Sequence, residues 1–226
     1  MIKSKSFQFK DLTFFDGENS QSNYWLSQPD DVDFYNVDKI NYSSGDVCID
    51  IGSHIGTLGL PLCKSNPDTT FIGFEANLNN YKNLLKAISF NQISNYIPNF
   101  CGVYGSSGKI LESKYREDNT GANSIFNENS NEKSTYFSTI SLDDIIKIHD
   151  IKKLKLFKID CEGAEYEILY NSKKLKDIEI EYMYIEAHYY PKLDQSPERL
   201  IEYIEKELKV KNLKSCIINC RSWAKN

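Results

Sequence analysis

The chain has 226 residues, of which 40% are apolar and 26% charged, and its formal net charge is −5. This length and composition predict one globular domain with a proper hydrophobic core. The acidic balance, with no basic block, argues against nucleic acid as a partner, and no apolar run approaches the roughly 20 residues that a membrane-spanning helix needs.

The N-terminal residues and the cysteines both favour a cytoplasmic protein. Lysines occur among residues 1–6, but no apolar segment follows them, so we predict no signal peptide. The six cysteines form no C-x-x-C pair, and we interpret them as buried, reduced thiols.

Residues 1–45 are rich in polar and aromatic side chains, and we predict that they form an extension on a main domain of residues 46–226. Residues 6–10 alternate and predict a strand. The aromatic residues either pack against the sheet or form a lid over an acceptor site; they are Phe14, Phe15, Tyr24, Trp25, Phe34 and Tyr35.

The first core element is an apolar strand that carries Asp50 and is followed by Gly52 and Gly56. This pattern predicts a buried strand, a tight turn and a helix that begins near Ile55 and kinks or ends at Pro61. The turn lacks the Gly-Lys-Ser/Thr of a P-loop and the third glycine of a dinucleotide site. An NAD-dependent oxidoreductase is therefore disfavoured.

Roughly 20 residues further on, a second predicted strand ends in Glu75, whose carboxylate can accept hydrogen bonds from a ribose diol. Asp50 would be a poor neighbour for a pyrophosphate but a good one for a cationic sulfonium. Together these features favour S-adenosylmethionine as the cofactor. The predicted cofactor-binding residues are Asp50, Gly52, Ser53, His54, Gly56, Glu75, Gly102, Val103 and Asp160.

The remaining pattern alternates strands with helices, which predicts a mainly parallel sheet with helices on both faces. Residues 116–134 are polar and predict either a lid or a disordered loop, and Ile125 with Phe126 favours the lid. The predicted strands are 96–103, 109–115, 136–140, 154–160, 182–186 and 213–220, and the predicted helices are 78–88 with N-cap Asn77, a short helix after the capping residue Ser141, 162–169 and 197–208.

Three motifs together resemble the FkbM-type methyltransferases: residues 50–56, the Phe74-Glu75 strand end, and residues 158–165 (Lys-Ile-Asp-Cys-Glu-Gly-Ala-Glu). The resemblance covers roughly residues 45–190. It implies a Rossmann-like class I fold, with a seven-stranded, mostly parallel sheet that has one antiparallel edge strand. It also implies O-methylation of sugars or polyketide hydroxyls. His54 departs from the glycine or asparagine common there; it either contacts the cofactor's carboxylate or is an ordinary turn histidine.

Methyl transfer to a hydroxyl requires a base or a metal ion. His188 is the first candidate for the base, and the alternative is a structural histidine bonded to a carbonyl. Asp160, Glu162 and Glu186 are the other predicted catalytic residues, and Asp160 with Glu186 can hold Mg²⁺ through oxygen ligands. Carboxylates at a helix start can also serve only as dipole partners.

We therefore predict an S-adenosylmethionine-dependent O-methyltransferase that acts on a sugar hydroxyl of a glycan or of a nucleotide-linked sugar. The alternatives are a polyketide or other small-molecule hydroxyl, and a non-catalytic scaffold that keeps the cofactor fold. The sequence leaves the acceptor, the metal requirement and the oligomeric state open.

Overall fold

A computed structural model describes residues 4–27, 37–126, 133–190 and 195–222. In chain order, its strands are β1 (Ser4–Phe9), β2 (Leu12–Gly17), β3 (Val47–Ile51), β4 (Thr70–Glu75), β5 (Tyr96–Phe100), β6 (Gly102–Tyr104), β7 (Ile110–Tyr115), β8 (Lys133–Ser141), β9 (Lys153–Ile159), β10 (Glu179–Tyr189) and β11 (Ser215–Ser222). Its α-helices are α1 (Ser22–Trp25), α2 (Gly59–Ser65), α3 (Leu78–Phe90), α4 (Leu142–Ile148), α5 (Glu165–Asn171) and α6 (Pro197–Tyr203), the last continued by a π-helical turn at Ile204–Leu208.

The central sheet has six strands in the order β11-β10-β9-β3-β4-β5, and every neighbouring pair is parallel. From β3 the chain proceeds outward to β5 on one side, and from β9 it proceeds outward to β11 on the other. The strand order therefore reverses between β3 and β9. In such sheets, ligands bind at this reversal, outside the carboxyl ends of the strands.

Two apolar clusters cover the two faces of the sheet, because successive strand residues point to opposite sides. In β3, Cys48 lies in the cluster that includes residues of α2 and α3, whereas Ile49 lies in the cluster that includes residues of α4, α5 and α6. Burying each large apolar side chain contributes about 1.5–3 kcal/mol. The predicted α/β sandwich with helices on both faces is confirmed.

The sheet nevertheless differs from the seven strands with one antiparallel edge that the resemblance implied. Within the described residues the central sheet has six strands, and β11 at its edge runs parallel to β10. The chain predicted as one strand at 96–103 divides at Cys101. Its first part pairs with β4, and its second part pairs with β8 in a separate three-stranded sheet, β6-β8-β7.

The helices confirm both predicted caps, but the helix predicted at 162–169 spans Glu165–Asn171, and the helix after the first turn also differs. Asn77 caps α3, since its side chain accepts hydrogen bonds from the backbone amides of Asn79 and Asn80, and Ser141 caps α4. The helix after the first turn begins at Gly59 rather than near Ile55, and it passes through Pro61 without a break. Pro61 is tolerated there because it lies in the first helical turn, where no backbone donor is required.

The N-terminal hairpin of β1 and β2 packs on the core rather than standing apart as a separate lid. Phe14 is fully buried within the same apolar cluster as Phe71. The backbone of Thr13 exchanges two hydrogen bonds with the side chain of Asn91, at 2.9 and 2.7 Å. Phe34 and Tyr35, which were predicted for the lid, lie outside the described residues, as does the side chain of Trp25.

No helix in the described part of the chain is long and apolar enough to cross a bilayer. All six cysteines are free, but only Cys48 and Cys63 are fully buried, and Cys220 is exposed. The prediction of uniformly buried thiols is therefore wrong for the others.

Candidate active site

The turn after β3 is closed by backbone contacts that only glycine allows. Gly52 has a φ of +76°, and a Cβ atom there would lie 1.7 Å from the carbonyl oxygen of Asp160. The amides of Gly52 and Ser53 both donate to the Phe74 carbonyl, each at 3.0 Å. The amide of Gly56 likewise donates to the Ser53 carbonyl. The turn is thus hydrogen-bonded to neighbouring segments, and these amides donate to acceptors within the protein.

Asp50 lies beneath this turn, in a buried ion pair with Lys158. Lys158 Nζ is 3.2 Å from Asp50 Oδ1 and donates to the Gly52 carbonyl at 2.7 Å. Tyr96 donates its hydroxyl to Asp50 Oδ2 at 3.0 Å. Burial opposes the lysine's charge, but the carboxylates of Asp50 and Asp160 raise the pKa of Lys158 to about 12. Lys158 is therefore charged at neutral pH.

This arrangement corrects the predicted role of Asp50, which was expected to face the sulfonium. Asp50 is not among the residues that line the cavity described below, and its carboxylate neutralises Lys158 instead. Gly56 also lies behind the cavity, where a Cβ atom would meet Leu84 and Leu60.

The Glu75 carboxylate stands at the end of β4, held by donors from three residues. Its Oε2 accepts the His54 amide at 2.7 Å, and its Oε1 accepts the Asn77 amide at 2.8 Å and the Asn80 side-chain amide at 3.3 Å. Burial raises the pKa of Glu75, while His54 and the hydrogen bonds counteract this. A carboxylate offers about four lone-pair positions, so Oε2 retains acceptor capacity for one hydroxyl group.

A cavity of about 640 Å³ opens at the point where the strand order reverses. Small-molecule sites typically occupy about 300–1,000 Å³, so its size suits a nucleoside cofactor together with part of an acceptor. The cavity brings together most of the predicted site residues: Gly52, Ser53, His54, Glu75, Gly102, Val103, Asp160, Glu162 and Glu186.

Carboxylates surround a buried histidine near the Asp160 end of the cavity. His188 Nδ1 lies 2.9 Å from Glu165 Oε1, and its Nε2 lies 3.3 Å from Glu162 Oε2 and 3.6 Å from Glu186 Oε1. Burial alone would lower the pKa of His188, but the hydrogen bond and charge of Glu165 and the charge of Glu162 raise it to about 10. Burial raises the pKa of Glu162 to about 8, against the opposing charge of His188.

The position of His188 contradicts its predicted role as the base. The strand β10 does not end at Glu186 as predicted but continues to Tyr189, so His188 is a fully buried strand residue that does not line the cavity. A histidine that is protonated at neutral pH also cannot accept a proton. Glu162, Asp160 and Glu186 line the cavity, whereas His188 lies behind them.

Asp160, Glu165 and His188 each bring one potential ligand atom to within 4.8 Å of the others. Because His188 and Glu165 are hydrogen-bonded to each other and Mg²⁺ prefers oxygen ligands, we assign no metal to this cluster. A magnesium site formed by Asp160 and Glu186 stays a prediction.

The loop after β7 covers the cavity, and sequence reasoning missed how it is fixed. Thr120, Asn123 and Ile125 are among its cavity-lining residues. At one end, Thr120 binds Asp16 and His54; at the other, Ser124 donates to the Glu162 carbonyl at 2.6 Å. Phe126 packs against Tyr190, with ring centroids 5.3 Å apart. The described part of the predicted loop, residues 116–126, is therefore ordered over the cavity.

Comparison with known proteins gives one family match. The model described as the methyltransferase FkbM domain matches residues 50–211, whereas no curated protein matches the chain. Among solved structures, the crystal structure of M. jannaschii TYW2 in complex with AdoMet is similar at 16% identity and a TM-score of 0.36, covering 48% of this chain and 54% of its own. The chain thus spans about half the length of that structure, and we draw no functional argument from so distant a likeness.

Proposed function

Because the chain belongs to the FkbM methyltransferase domain family, we propose that it transfers the methyl group of S-adenosylmethionine to a hydroxyl oxygen. We further propose that the hydroxyl belongs to a sugar, in a glycan or in a nucleotide-linked precursor. The observation that carries this proposal is the cavity at the reversal of strand order, whose lining includes the carboxylates of Glu75, Asp160, Glu162 and Glu186.

The residues present fit this cofactor better than a dinucleotide. Glu75 keeps acceptor capacity for a ribose hydroxyl, whereas the amides of Gly52, Ser53, His54 and Gly56 all donate within the protein. Phosphate sites at such turns rely on free backbone N–H groups, and these four amides are not free. The site thus favours a nucleoside without phosphates.

The bound cofactor would supply an electrophilic methyl group, and the chain's own residues must orient the acceptor and take its proton. We propose that Glu162 is the base. It lines the cavity, and its raised pKa makes its ionised form a stronger proton acceptor than an ordinary carboxylate. His188, 3.3 Å from Glu162, stabilises that ionised form.

Asp160 and Glu186 also line the cavity and would accept hydrogen bonds from further hydroxyl groups. Such acceptors suit a polyhydroxylated sugar. The cavity also has apolar lining, which favours a polyketide hydroxyl as the second candidate; the apolar residues include Leu58, Leu62, Leu111, Ile125 and Phe137. We place the reaction in the cytoplasm, where the six free cysteines would remain reduced.

The test uses the full chain with S-adenosylmethionine carrying a ¹³C-labelled methyl group. The acceptors are a panel of methyl glycosides, nucleotide-linked sugars and a hydroxylated polyketide. Mass spectrometry would show one added methyl group, and carbon NMR would distinguish an O-methyl from an N-methyl product. Methyl transfer to nitrogen would overturn the O-methylation proposal. Failure of S-adenosylhomocysteine to shift the thermal unfolding temperature would support a scaffold instead.

A further inference from the structure

We infer that Thr120, clamped by Asp16 of the N-terminal hairpin, is a positioning residue for the Glu75 carboxylate. The inference deepens the proposed function, on which it rests. It assigns part of the cofactor site to a loop and a hairpin that are far from the glycine turn in sequence, and it gives the N-terminal extension a role in cofactor binding.

The Thr120 hydroxyl has one hydrogen to donate. Thr120 Oγ1 lies 2.9 and 3.1 Å from the two carboxylate oxygens of Asp16 and 2.7 Å from His54 Nε2. The hydroxyl donates this hydrogen to the Asp16 carboxylate. It must then accept from His54, and this fixes the proton of the His54 ring on Nε2.

The Thr120 backbone also takes part in this group of contacts. Its carbonyl oxygen accepts the side-chain amide of Asn80 at 2.8 Å, and the same amide nitrogen lies 3.3 Å from Glu75 Oε1. Thr120 thus holds His54 by its side chain and Asn80 by its backbone. Both of these residues donate to Glu75, one to each carboxylate oxygen.

These contacts form a closed ring that runs from Glu75 through His54, Thr120 and Asn80 back to Glu75. Asp16 fixes the ring from outside and is itself held, since it accepts a hydrogen bond from Ser20 at 2.5 Å. Asp16 and Thr120 are each only 1% exposed, so water does not compete for the clamp. His54, with a φ of +52°, has an unusual backbone conformation that the ring would hold in place.

The structural consequence is that the orientation of Glu75 depends on Thr120 even though the two side chains need not touch. Removing the Thr120 hydroxyl frees the His54 ring and so loosens the His54 donor, whereas the backbone contact to Asn80 remains. We expect Thr120→Val to weaken S-adenosylhomocysteine binding about 3- to 10-fold, which is the worth of roughly one hydrogen bond. Thr120→Ser, which keeps the hydroxyl, should recover most of the affinity.

The deciding experiment is a double-mutant cycle measured by isothermal titration calorimetry with S-adenosylhomocysteine. If Thr120 acts through Glu75, Thr120→Val should change the dissociation constant less than about twofold in the Glu75→Ala background. A purely structural role would give the same loss in both backgrounds and would overturn the inference. Thr13→Val is the matched control, because Thr13 accepts a side-chain hydrogen bond on the same hairpin but does not line the cavity.

Thermal unfolding and circular dichroism of each variant establish that it folds. If Thr120→Val does not fold, Asp16→Asn carries the same cycle, since it replaces one carboxylate oxygen with a donor at nearly constant volume. The two proposals fail differently. A wild-type chain that does not bind S-adenosylhomocysteine defeats the proposed function, whereas a binding wild type with an unaffected Thr120→Val variant defeats this inference alone.

Discussion

Lys158 Nζ lies 3.2 Å from Asp50 Oδ1 and within hydrogen-bond distance of the carbonyl oxygens of both Ile51 and Gly52. One side chain from β9 thus neutralises a buried acid in β3 and also binds the backbone where β3 ends and the turn begins. The ion pair belongs to the framework of the site, and the cavity wall above it depends on that framework.

Replacing Lys158 by Met should lower the free energy of unfolding by about 3–5 kcal/mol, because the Asp50 charge would remain buried without its partner. Urea denaturation at pH 7 measures the change. The double variant Asp50→Asn/Lys158→Met removes both charges and should recover much of the loss. Lys152→Met is the control, since its ion pair with Asp150 is exposed and should be worth less than about 1 kcal/mol. A Lys158→Met protein as stable as wild type would contradict this account.

Gly52→Ala should destabilise the protein far more than Gly108→Ala, although both glycines have a similar positive φ, +76° and +79°. Nothing lies within 4 Å of a Cβ atom at Gly108, whereas one at Gly52 would collide with the Asp160 carbonyl. Gly108→Ala should cost about 1–2 kcal/mol from backbone conformation alone. Gly52→Ala should cost clearly more in the same denaturation experiment, and equal losses would show that the collision is relieved without penalty.

Glu75→Ala should weaken S-adenosylhomocysteine binding by about 1.5–3 kcal/mol, the contribution of hydrogen bonds to a charged group. Isothermal titration calorimetry measures the dissociation constant directly. Glu112→Ala, which changes an acid on β7 that does not line the cavity, provides the comparison. An unchanged affinity in the Glu75 variant would remove this residue from the cofactor site.

The stability of the wild-type protein should fall as the pH rises from about 6.5 to 10. The folded state raises the pKa of His188 to about 10 and therefore binds a proton that the unfolded chain has released above its ordinary value, about 6.5. The stabilisation is complete below pH 6.5 and is lost as the pH rises through the folded value. Between pH 6.5 and 9 this contribution should change by on the order of 3 kcal/mol. Urea denaturation at several pH values should show a smaller slope for His188→Gln, and an equal slope would refute the assignment.

Glu162→Gln should reduce the rate of methyl transfer by about 10²- to 10⁴-fold, the usual contribution of a general base. Binding of S-adenosylhomocysteine should change little. Because burial raises the pKa of Glu162 to about 8, the wild-type rate should fall as the pH decreases through that value, and the residual rate of the variant should lack this dependence. Glu198→Gln, at a residue that does not line the cavity, is the control. Wild-type activity in the Glu162→Gln variant would contradict the assignment of Glu162 as the base and would leave Asp160 or Glu186 as the candidates.

The local sequence pattern was sufficient to predict the α/β class and one end of the site. The turn after β3, the Glu75 strand end and the Asn77 cap each depend on contiguous residues, whose conformational preferences act over a few positions. The prediction that the helix kinks or ends at Pro61 was wrong, because the helix begins later than expected and Pro61 falls in its first turn.

The predicted role of His188 depended on where the strand that carries it ends. Its sequence position, just past an apolar run, resembles that of an exposed residue at a strand end. Pairing of β10 with β11 extends the strand to Tyr189, which buries the ring among carboxylates and makes it a cation rather than a base. The side chains that determine the charge of this ring include residues of other chain segments, and local sequence patterns do not show that those segments lie beside it.

By itself the sequence determined a parallel α/β domain with a glycine turn and an acid at the next strand end, because hydrophobic periodicity and turn chemistry are local properties. Only the tertiary structure decided which acids line the cavity and which form ion pairs within the protein. It also brought Asp16 into contact with Thr120, which lies 104 residues further along the chain. Burial and hydrogen-bond partners set the charge of each group, and both arise only when distant segments pack together.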